Sequence, residues 1–298
     1  MKTREATPVQ SRRYRRLARG GTLALLLSPA FIWVLFLVLA PNLFLIVNSF
    51  WRNRLGTVIR DFSLYNYDRA FTSEVFQILF VRTFFIAAIA SVVATLVAYP
   101  AAYLVVRRFG RWKLTVAMLV MVPLWVSYLM RVFAWRIILG ERGILNGILT
   151  SLGILDQASE AFLYSKGTVT LTLTYIVIPY VFLAAYTSLE RIPESLYEAS
   201  ADCGGSPLRT FWHIVWPLSR PGVAIGFAIG FVLAFGDYIS PAMVGGMEGT
   251  MLGSIIIQQF GIANNWPYGA AIGVSVMLSA FLFLALVSLF SRTEARFE

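Results

Sequence analysis

Six apolar runs of roughly 20 residues or more constrain the fold of this chain more than any other feature of its sequence. A helix of about 20 residues crosses the hydrocarbon core of a bilayer, which is about 30 Å thick. Each backbone polar group within lipid must find its hydrogen-bond partner inside the same segment, so spans of this length are helices. We therefore predict an all-α polytopic membrane protein with about six transmembrane helices, placed at Leu23–Phe50, Ile78–Val106, Leu114–Leu139, Val169–Leu189, Val223–Val244 and Tyr268–Phe290.

The composition agrees with a membrane protein, because the chain is 58% hydrophobic and only 13% charged. The first apolar run is far longer than the apolar core of a secretory signal, so we interpret it as an uncleaved anchor. Basic residues beside anionic lipid headgroups explain the net charge of +10, which needs no nucleic acid. The single cysteine, Cys203, excludes a disulfide framework.

In the predicted topology, most of the 25 basic residues lie on one side of the membrane. They occupy the amino-terminal tail, the second-to-third and fourth-to-fifth connections, and the carboxyl tail. Basic loops remain in the cytoplasm, so both termini and the connection at residues 191–220 are predicted to be cytoplasmic. We divide the chain into a basic cytoplasmic tail, residues 1–20, and a six-helix transmembrane domain, residues 21–298, which contains that connection.

Three connections then face outward. Residues 51–77 mix polar and aromatic side chains and predict an irregular cap. Residues 247–267 are predicted to be a short connection. Residues 140–166 are too short and too polar to cross the membrane, but their apolar side chains recur every three to four positions, which predicts an amphipathic helix on the outer surface: Ile144, Leu145, Ile148, Leu149 and Leu152.

The polar stretch Pro193–Pro221 is the most informative connection, because its pattern predicts two short helices. Pro193 suits the first turn of a helix, which we predict over Ser195–Cys203. Gly204 and Gly205 end that helix, since glycine adopts left-handed backbone angles at little energetic cost.

The second short helix begins at the capping residue Ser206, with Pro207 in its first position. Pro217 is predicted to end this helix and Pro221 to open the next span. One face of the helix is apolar at the spacing i, i+3, i+4, i+7, formed by Leu208, Phe211, Trp212 and Val215. The pattern predicts a docking surface for another protein, and the alternative is a solvated hairpin without a partner.

This connection resembles the EAA loop in membrane subunits of binding-protein-dependent ABC importers. The loop pattern is Glu-Ala-Ala, three residues, Gly, nine residues, Ile, one residue and Leu-Pro, and the matching residues here are Glu198, Ala199, Gly204, Ile214 and Pro217. Two positions depart from it: Ser200 replaces the second alanine, and Trp216 replaces the leucine. Serine keeps the volume small, whereas tryptophan changes the packing ahead of Pro217.

Three further stretches resemble the spermidine/putrescine-type branch of these permeases, and together they cover most of the chain after the first span. The loop pattern is specific for the importer superfamily, while permeases for other small solutes share the branch stretches. These stretches are Arg131–Trp135 with Gly143–Asn146, Phe235–Pro241 with Gly245–Gly246, and Gln258–Phe260 with Asn265–Pro267.

The resemblance implies a type I ABC importer permease in a bacterial inner membrane. Its implied partners are membrane lipid, a second permease subunit in a heterodimer, two ATPase subunits and an extracytoplasmic solute-binding protein. In that family the loop helix sits in a groove of the cytoplasmic ATPase, which binds ATP and Mg²⁺ and drives the spans between inward-facing and outward-facing states. Carried over by position, the coupling-loop residues are Glu198, Ala199, Ser200, Asp202, Gly204, Gly205, Ile214 and Pro217.

No ATPase or other enzyme is predicted within this chain. A phosphate-binding P-loop requires a lysine preceded by glycine, whereas Lys2, Lys113 and Lys166 follow Met, Trp and Ser. The chain has one histidine, one cysteine and no HExxH pattern, so its sequence does not support a metal site or a nucleophilic site. We interpret His213 as a polar loop residue. The chain is therefore expected to hold no metal and no cofactor of its own.

Two charges within the predicted spans mark a candidate solute path. Asp237 lies about 24 Å along the helix from Pro221, and a carboxylate at that depth indicates either a solute path or a paired charge. Arg131 has a matching depth, so the alternative is an Asp237–Arg131 ion pair, and an Arg131 that faced the path would disfavour a cationic solute. Aromatic side chains can stack on an alkylammonium chain, which gives the candidate path residues Asp237, Tyr238, Trp125, Tyr128 and Arg131.

Glycine recurs at every fourth position of the fifth predicted span, at Gly222, Gly226 and Gly230. Such small residues allow another helix to approach closely.

The sequence therefore predicts the permease subunit of an ATP-driven importer, which forms half of the solute path. The branch resemblance favours a polyamine or a similar small amine, with an amino-acid derivative, an opine, a phosphonate or ferric ion as alternatives. A proton-coupled secondary transporter with Asp237 as the proton relay is the rival function, and only one buried acid supports it.

Overall fold

The computed structural model describes residues 26–54, 56–155, 157, 159 and 162–292. The predicted tail, residues 1–20, lies outside these residues, as does the start of the first predicted span. Within the described part, five helices are long and apolar enough to cross a membrane, and the number of spans is six if one sharply bent pair counts as one. The predicted all-α polytopic fold is confirmed.

The elements follow one another along the chain with two short strands among the helices. In chain order they are α1 (Leu26–Ser49), β1 (Arg52–Arg54), β2 (Thr57–Ile59), α2 (Tyr65–Thr72), α3 (Glu74–Arg108), α4 (Gly110–Trp125), α5 (Tyr128–Leu139), α6 (Ile144–Ser151), α7 (Lys166–Glu190), α8 (Glu194–Asp202), α9 (Pro207–Phe235), α10 (Leu252–Phe260) and α11 (Trp266–Arg292).

Helices α3, α7 and α9 pack against one another and form the core of the bundle. Helix α3 turns a stripe of buried small side chains toward its neighbours, made of Ala87, Ala90, Ala94, Ala98 and Ala102. Because these side chains are small, the helix axes approach closely and dispersion contacts are gained along the whole length.

The glycine stripe of α9 packs against α7, as the sequence predicts. A Cβ atom built at Gly222 would lie 2.2 Å from the Cβ of Ser188, and one built at Gly230 would lie 2.5 Å from Cγ1 of Val177. Neither distance can accommodate a methyl group unless the neighbouring atoms move. The two spans that flank α8 are therefore joined by a contact that requires glycine.

The third predicted span, Leu114–Leu139, is wrong as a single helix. Helix α4 ends at Trp125 and α5 begins at Tyr128, and the segment Tyr128–Ser151, which contains α5 and α6, is bent by 86° from α4. The backbone of Val126 is extended, with φ −81° and ψ 136°. Pro123 lies in the last turn of α4, where its ring and missing N–H disfavour continuation of regular helical hydrogen bonding.

The prediction that Pro217 ends a helix is also wrong. Helix α9 continues through Pro217 and Pro221 without a break. A π-turn at Phe211–Val215 immediately precedes this part of the helix. The wider turn rearranges the backbone hydrogen bonds, so that Pro217 falls in a first-turn position where its missing N–H is tolerated.

The carboxyl-terminal end of the fifth predicted span differs as well, because α9 ends at Phe235 and not at Val244. The chain then unwinds at Gly236 and Asp237 before a second π-turn at Pro241–Gly245. Asp237 therefore lies in an interruption of the helix and not within a regular span.

The predicted outward connections contain more regular structure than expected. The antiparallel β1–β2 hairpin and α2 occupy the stretch predicted as an irregular cap. The Asn66 amide fastens this stretch to the end of α1 by donating to the carbonyl oxygens of Ser49 and Trp51, at 3.0 and 2.6 Å. Helix α6 confirms the predicted amphipathic helix, whereas α10 was not predicted.

Candidate functional site

Helix α8 ends in a Schellman motif that uses both glycines of the Gly-Gly pair. Gly204 has φ +74°, the left-handed conformation that glycine adopts without steric cost. Its N–H donates to the carbonyl of Ala201 at 2.9 Å, and the N–H of Gly205 donates to that of Ser200 at 2.8 Å. A Cβ at Gly205 would lie 2.5 Å from Oγ of Ser200, so the second glycine is required by space.

The start of α9 is capped as the sequence predicts. Ser206 Oγ accepts the N–H of Arg209 at 3.3 Å, and Pro207 occupies the first helical position. The hydroxyls of Ser200 and Thr210 lie 2.7 Å apart and connect the two helices across the turn. Helices α8 and α9 therefore form one compact element rather than two loosely joined segments.

The outer face of this element is exposed. Helix α8, which is described along its whole length, contains no buried residue, and Glu198, Ala199 and Asp202 are all exposed. Ala199 is small and leaves room for a close helix contact. Glu198 and Asp202 carry charges that can fix the register of that contact. Of the apolar face predicted for the second helix, Val215 is buried, whereas Trp212 is exposed.

The inner side of α8 is attached to α3 through Arg107. The Arg107 guanidinium donates to both carboxylate oxygens of Glu194 at 2.8 Å, and its Cζ lies 3.8 Å from the ring centroid of Tyr197. Burial raises the pKa of the Tyr197 hydroxyl, while the nearby Arg107 charge opposes that rise. Tyr197 thus stays neutral and presents its ring face to the cation.

Further contacts fix the same end of the bundle. The Lys113 ammonium lies 3.0 Å from the Glu190 carboxylate and joins the start of α4 to the end of α7. The hydroxyls of Tyr99 and Ser219 lie 2.8 Å apart and join α3 to α9. The ring of Phe211 packs against Tyr103 of α3, with centroids 5.6 Å apart.

A second group of predicted residues surrounds the two helix interruptions. The Tyr128 hydroxyl, at the start of α5, lies 3.1 Å from the Ser240 hydroxyl, just beyond the end of α9. The Asp237 carboxylate accepts the backbone N–H groups of Ile239 and Ser240 at 3.1 and 3.0 Å. The break between α4 and α5 and the break after α9 therefore lie side by side, an arrangement in which irregular backbone lines a cavity within a membrane protein.

The cavity at these breaks has a volume of about 170 Å³. The residues that line it include one acid, Asp237, three tyrosines, Tyr128, Tyr180 and Tyr238, and the apolar residues Leu173, Ile176, Val177 and Leu233. A carboxylate surrounded by aromatic rings is suited to an ammonium group, which gains from the charge and from the ring faces.

The structure brings three of the five candidate path residues together at this cavity: Asp237, Tyr128 and Tyr238. Trp125 does not line it and has 81% of its surface exposed. Arg131 is buried, and although both residues are within the described part of the chain it forms no ion pair with Asp237. Tyr180 was missed, and the signal available was a tyrosine directly after Pro179 in the middle of an apolar run.

The fold, the paired helix interruptions and the exposed helical element define a polytopic membrane transport protein. The profile of the family described as binding-protein-dependent transport system inner membrane component matches residues 94–295, and the chain belongs to this family. It is therefore a permease of an ABC importer.

The sequence is similar to several curated permeases. The spermidine/putrescine transport system permease protein PotB of Haemophilus influenzae is 30% identical over 258 residues, covering 85% of this chain and 89% of that protein. PotB of Escherichia coli is 30% identical over 253 residues, with 85% and 91% covered. The inner membrane ABC transporter permease protein YdcU of Escherichia coli is 31% identical over 243 residues, with 78% and 77% covered.

Solved structures share the fold. A chain of the bacterial alginate ABC transporter, in complex with its alginate pentasaccharide-bound periplasmic protein, superimposes with a TM-score of 0.74 at 15% identity, covering 94% of this chain and 96% of that one. A chain of the MetNI methionine ABC transporter in an inward-facing conformation gives 0.51 at 17% identity, with 76% and 98% covered.

Proposed function

We propose that the chain forms half of the solute path of an ATP-driven importer and receives the motion of a cytoplasmic ATPase through α8. The observation that carries this proposal is the exposed outer face of α8, Glu198, Ala199 and Asp202, on an element whose inner side is fixed to the bundle. Because α8 is fixed to the bundle, a force applied to its exposed face is passed to the spans.

The mechanism follows from the connections of α8. The partner ATPase binds ATP and Mg²⁺, and its closure moves the helix seated in its groove. Arg107 passes that motion to α3, and the turn at Gly204 and Gly205 passes it to α9. Because α9 continues to Phe235 without a break, the motion reaches the cavity at Asp237 and changes its access from one side of the membrane to the other.

The remaining partners follow from the same reading. A second permease subunit supplies the other half of the path, two ATPase subunits supply the energy, and an extracytoplasmic binding protein delivers the solute to residues 51–77, 140–166 and 247–267. The bacterial inner membrane is the matching location. Support comes from PotB, named as a permease protein of a transport system, and from the alginate transporter, which was solved with a periplasmic protein.

The solute we propose is a polyamine or a similar small amine. Two independent features favour it: the similarity to permeases named for spermidine and putrescine, and the Asp237 carboxylate among tyrosine rings. A buried carboxylate is costly unless a cation compensates it, and a solute ammonium provides that compensation during transport.

The decisive experiment reconstitutes the chain in liposomes with its partner permease, ATPase and binding protein. Spermidine or putrescine bound to the binding protein should raise ATP turnover and drive uptake, and Asp237→Asn should reduce uptake while the complex still assembles. Stimulation by a phosphonate, an opine, an amino-acid derivative or ferric ion, with none by either polyamine, would refute the amine assignment. Uptake driven by a proton gradient without the ATPase would refute the importer mechanism itself.

A further inference from the structure

Arg131 is a buried cation whose charge the structure leaves uncompensated. Only 6% of its surface is exposed, and its Nε and Nη1 atoms have no hydrogen-bond partner among the described residues. A guanidinium remains protonated at any physiological pH. Buried charges in proteins are normally paired and hydrogen-bonded, so an unpaired one within the membrane calls for a functional explanation.

Arg131 and Asp237 approach the same tyrosine from two different helices. The Arg131 Cζ atom lies 5.5 Å from the ring centroid of Tyr128, one helical turn away on α5. The Tyr128 side chain lines the same cavity as Asp237, and its hydroxyl lies 3.1 Å from the Ser240 hydroxyl in the interruption after α9. Tyr128 therefore lies close to Arg131 and shares a cavity with Asp237, between the break before α5 and the break after α9.

Asp237 has the capacity to bind a further cation. Its surface is 7% exposed, and each of its carboxylate oxygens accepts one backbone N–H. An ionised carboxylate has about four acceptor positions, so bonding capacity remains on both oxygens. A cation that reaches Asp237 can thus be a solute ammonium or the guanidinium of Arg131.

Resting on the proposed function, we propose that Arg131 is a resident cation that competes with the solute ammonium for Asp237. When α5 and the end of α9 approach each other, the guanidinium pairs with Asp237 and the ammonium is released. When they separate, Asp237 is open to the solute. The exchange of one cation for another keeps the carboxylate compensated throughout, which favours release over tight retention of the solute.

The test measures spermidine binding and ATP-driven spermidine uptake by the complete importer in nanodiscs and liposomes. Arg131→Met removes the competing charge at similar length, so spermidine should bind roughly tenfold more tightly to the complex without binding protein. Uptake turnover should fall together with its KM, because release is slowed. Arg131→Lys keeps a mobile cation of different shape, so its spermidine affinity should lie between those of the wild type and Arg131→Met.

Each result decides the matter. Unchanged or weaker spermidine binding in Arg131→Met overturns the inference, as does an equal effect of Arg131→Lys. If Arg131→Met fails to assemble, the double variant Arg131→Met with Asp237→Asn is tested next. This variant should assemble if the two charges compensate each other in one state of the importer. Failure of the double variant to assemble overturns the proposed pairing of Arg131 with Asp237. If spermidine-loaded binding protein does not stimulate ATP turnover of the wild type, both the proposed solute and this inference are wrong. If it does, but Arg131→Met binds spermidine as the wild type does, only this inference is wrong.

Discussion

At the scale of single residues, Ser200 strengthens the joint between α8 and α9. Its carbonyl accepts the Gly205 N–H, and its hydroxyl lies 2.7 Å from the Thr210 hydroxyl. Alanine, the residue of the importer loop pattern at this position, would keep the backbone bond and lose the hydroxyl contact. Since one hydrogen bond stabilises a fold by about 1 kcal/mol, Ser200 holds the element more firmly than alanine would.

Gly204 offers the sharpest test of that joint, because two substitutions at one position act in opposite ways. Proline fixes φ near −65° and cannot adopt the φ of +74° found here, so Gly204→Pro should abolish solute-stimulated ATP turnover. Asparagine tolerates left-handed angles, and a Cβ at this position meets no atom within 4 Å, so Gly204→Asn should retain most of the turnover. Both variants are assayed in the reconstituted importer.

The interpretation of α8 as the ATPase contact fails if Gly204→Pro, confirmed to be assembled, is stimulated as strongly as the wild type. Equal losses in both variants would indicate that bulk at the surface matters and backbone geometry does not.

At the scale of elements, Arg107 is the connection between α8 and the longest span, α3. The ion pair with Glu194 is partly exposed, and such pairs contribute little alone, but Nη1 of Arg107 reaches both carboxylate oxygens and the Tyr197 ring adds a cation–π contact. Arg107 thereby positions α8 relative to α3.

Removal of this connection should uncouple the importer without unfolding it. Arg107→Ala should weaken the attachment of α8 to α3 by roughly 1–2 kcal/mol. The amount of solute imported per ATP hydrolysed should therefore fall. The matched control exchanges the charges, Arg107→Glu with Glu194→Arg, and should recover part of the ratio. Equal import per ATP in wild type and Arg107→Ala would contradict the assigned role.

Whether the end of a helix can be predicted from the sequence depends on whether local or distant contacts determine it. The ends of α8 and the start of α9 could be predicted, because Gly204, Ser206 and Pro207 act through their own backbone. The sharp break before Tyr128 could not, since Pro123 is equally compatible with a kinked but continuous helix, and the contact of Tyr128 with Ser240 is 112 positions away. Similarly, no local pattern distinguishes a helix-ending proline from one that follows a π-turn.

At the scale of the whole molecule, the glycine stripe of α9 determines whether the core of three helices can form. Gly222→Ala would place a methyl group 2.2 Å from the Cβ of Ser188. Such overpacking costs about 1–3 kcal/mol, so the thermal unfolding temperature of the purified importer should fall. Gly147→Ala, at a helical position with no atom within 4 Å of the added Cβ, is the control and should not lower it. Equal unfolding temperatures in both variants would mean that α7 and α9 do not pack as described.

The length of the continuous helix α9 determines how far a small tilt moves its ends. Its 29 residues extend about 43 Å, more than the thickness of the membrane's hydrocarbon layer. A tilt of about 10° around one end moves the other end through about 7 Å. A lever of that reach allows a small swing at one surface of the bilayer to open or shut a passage near the other.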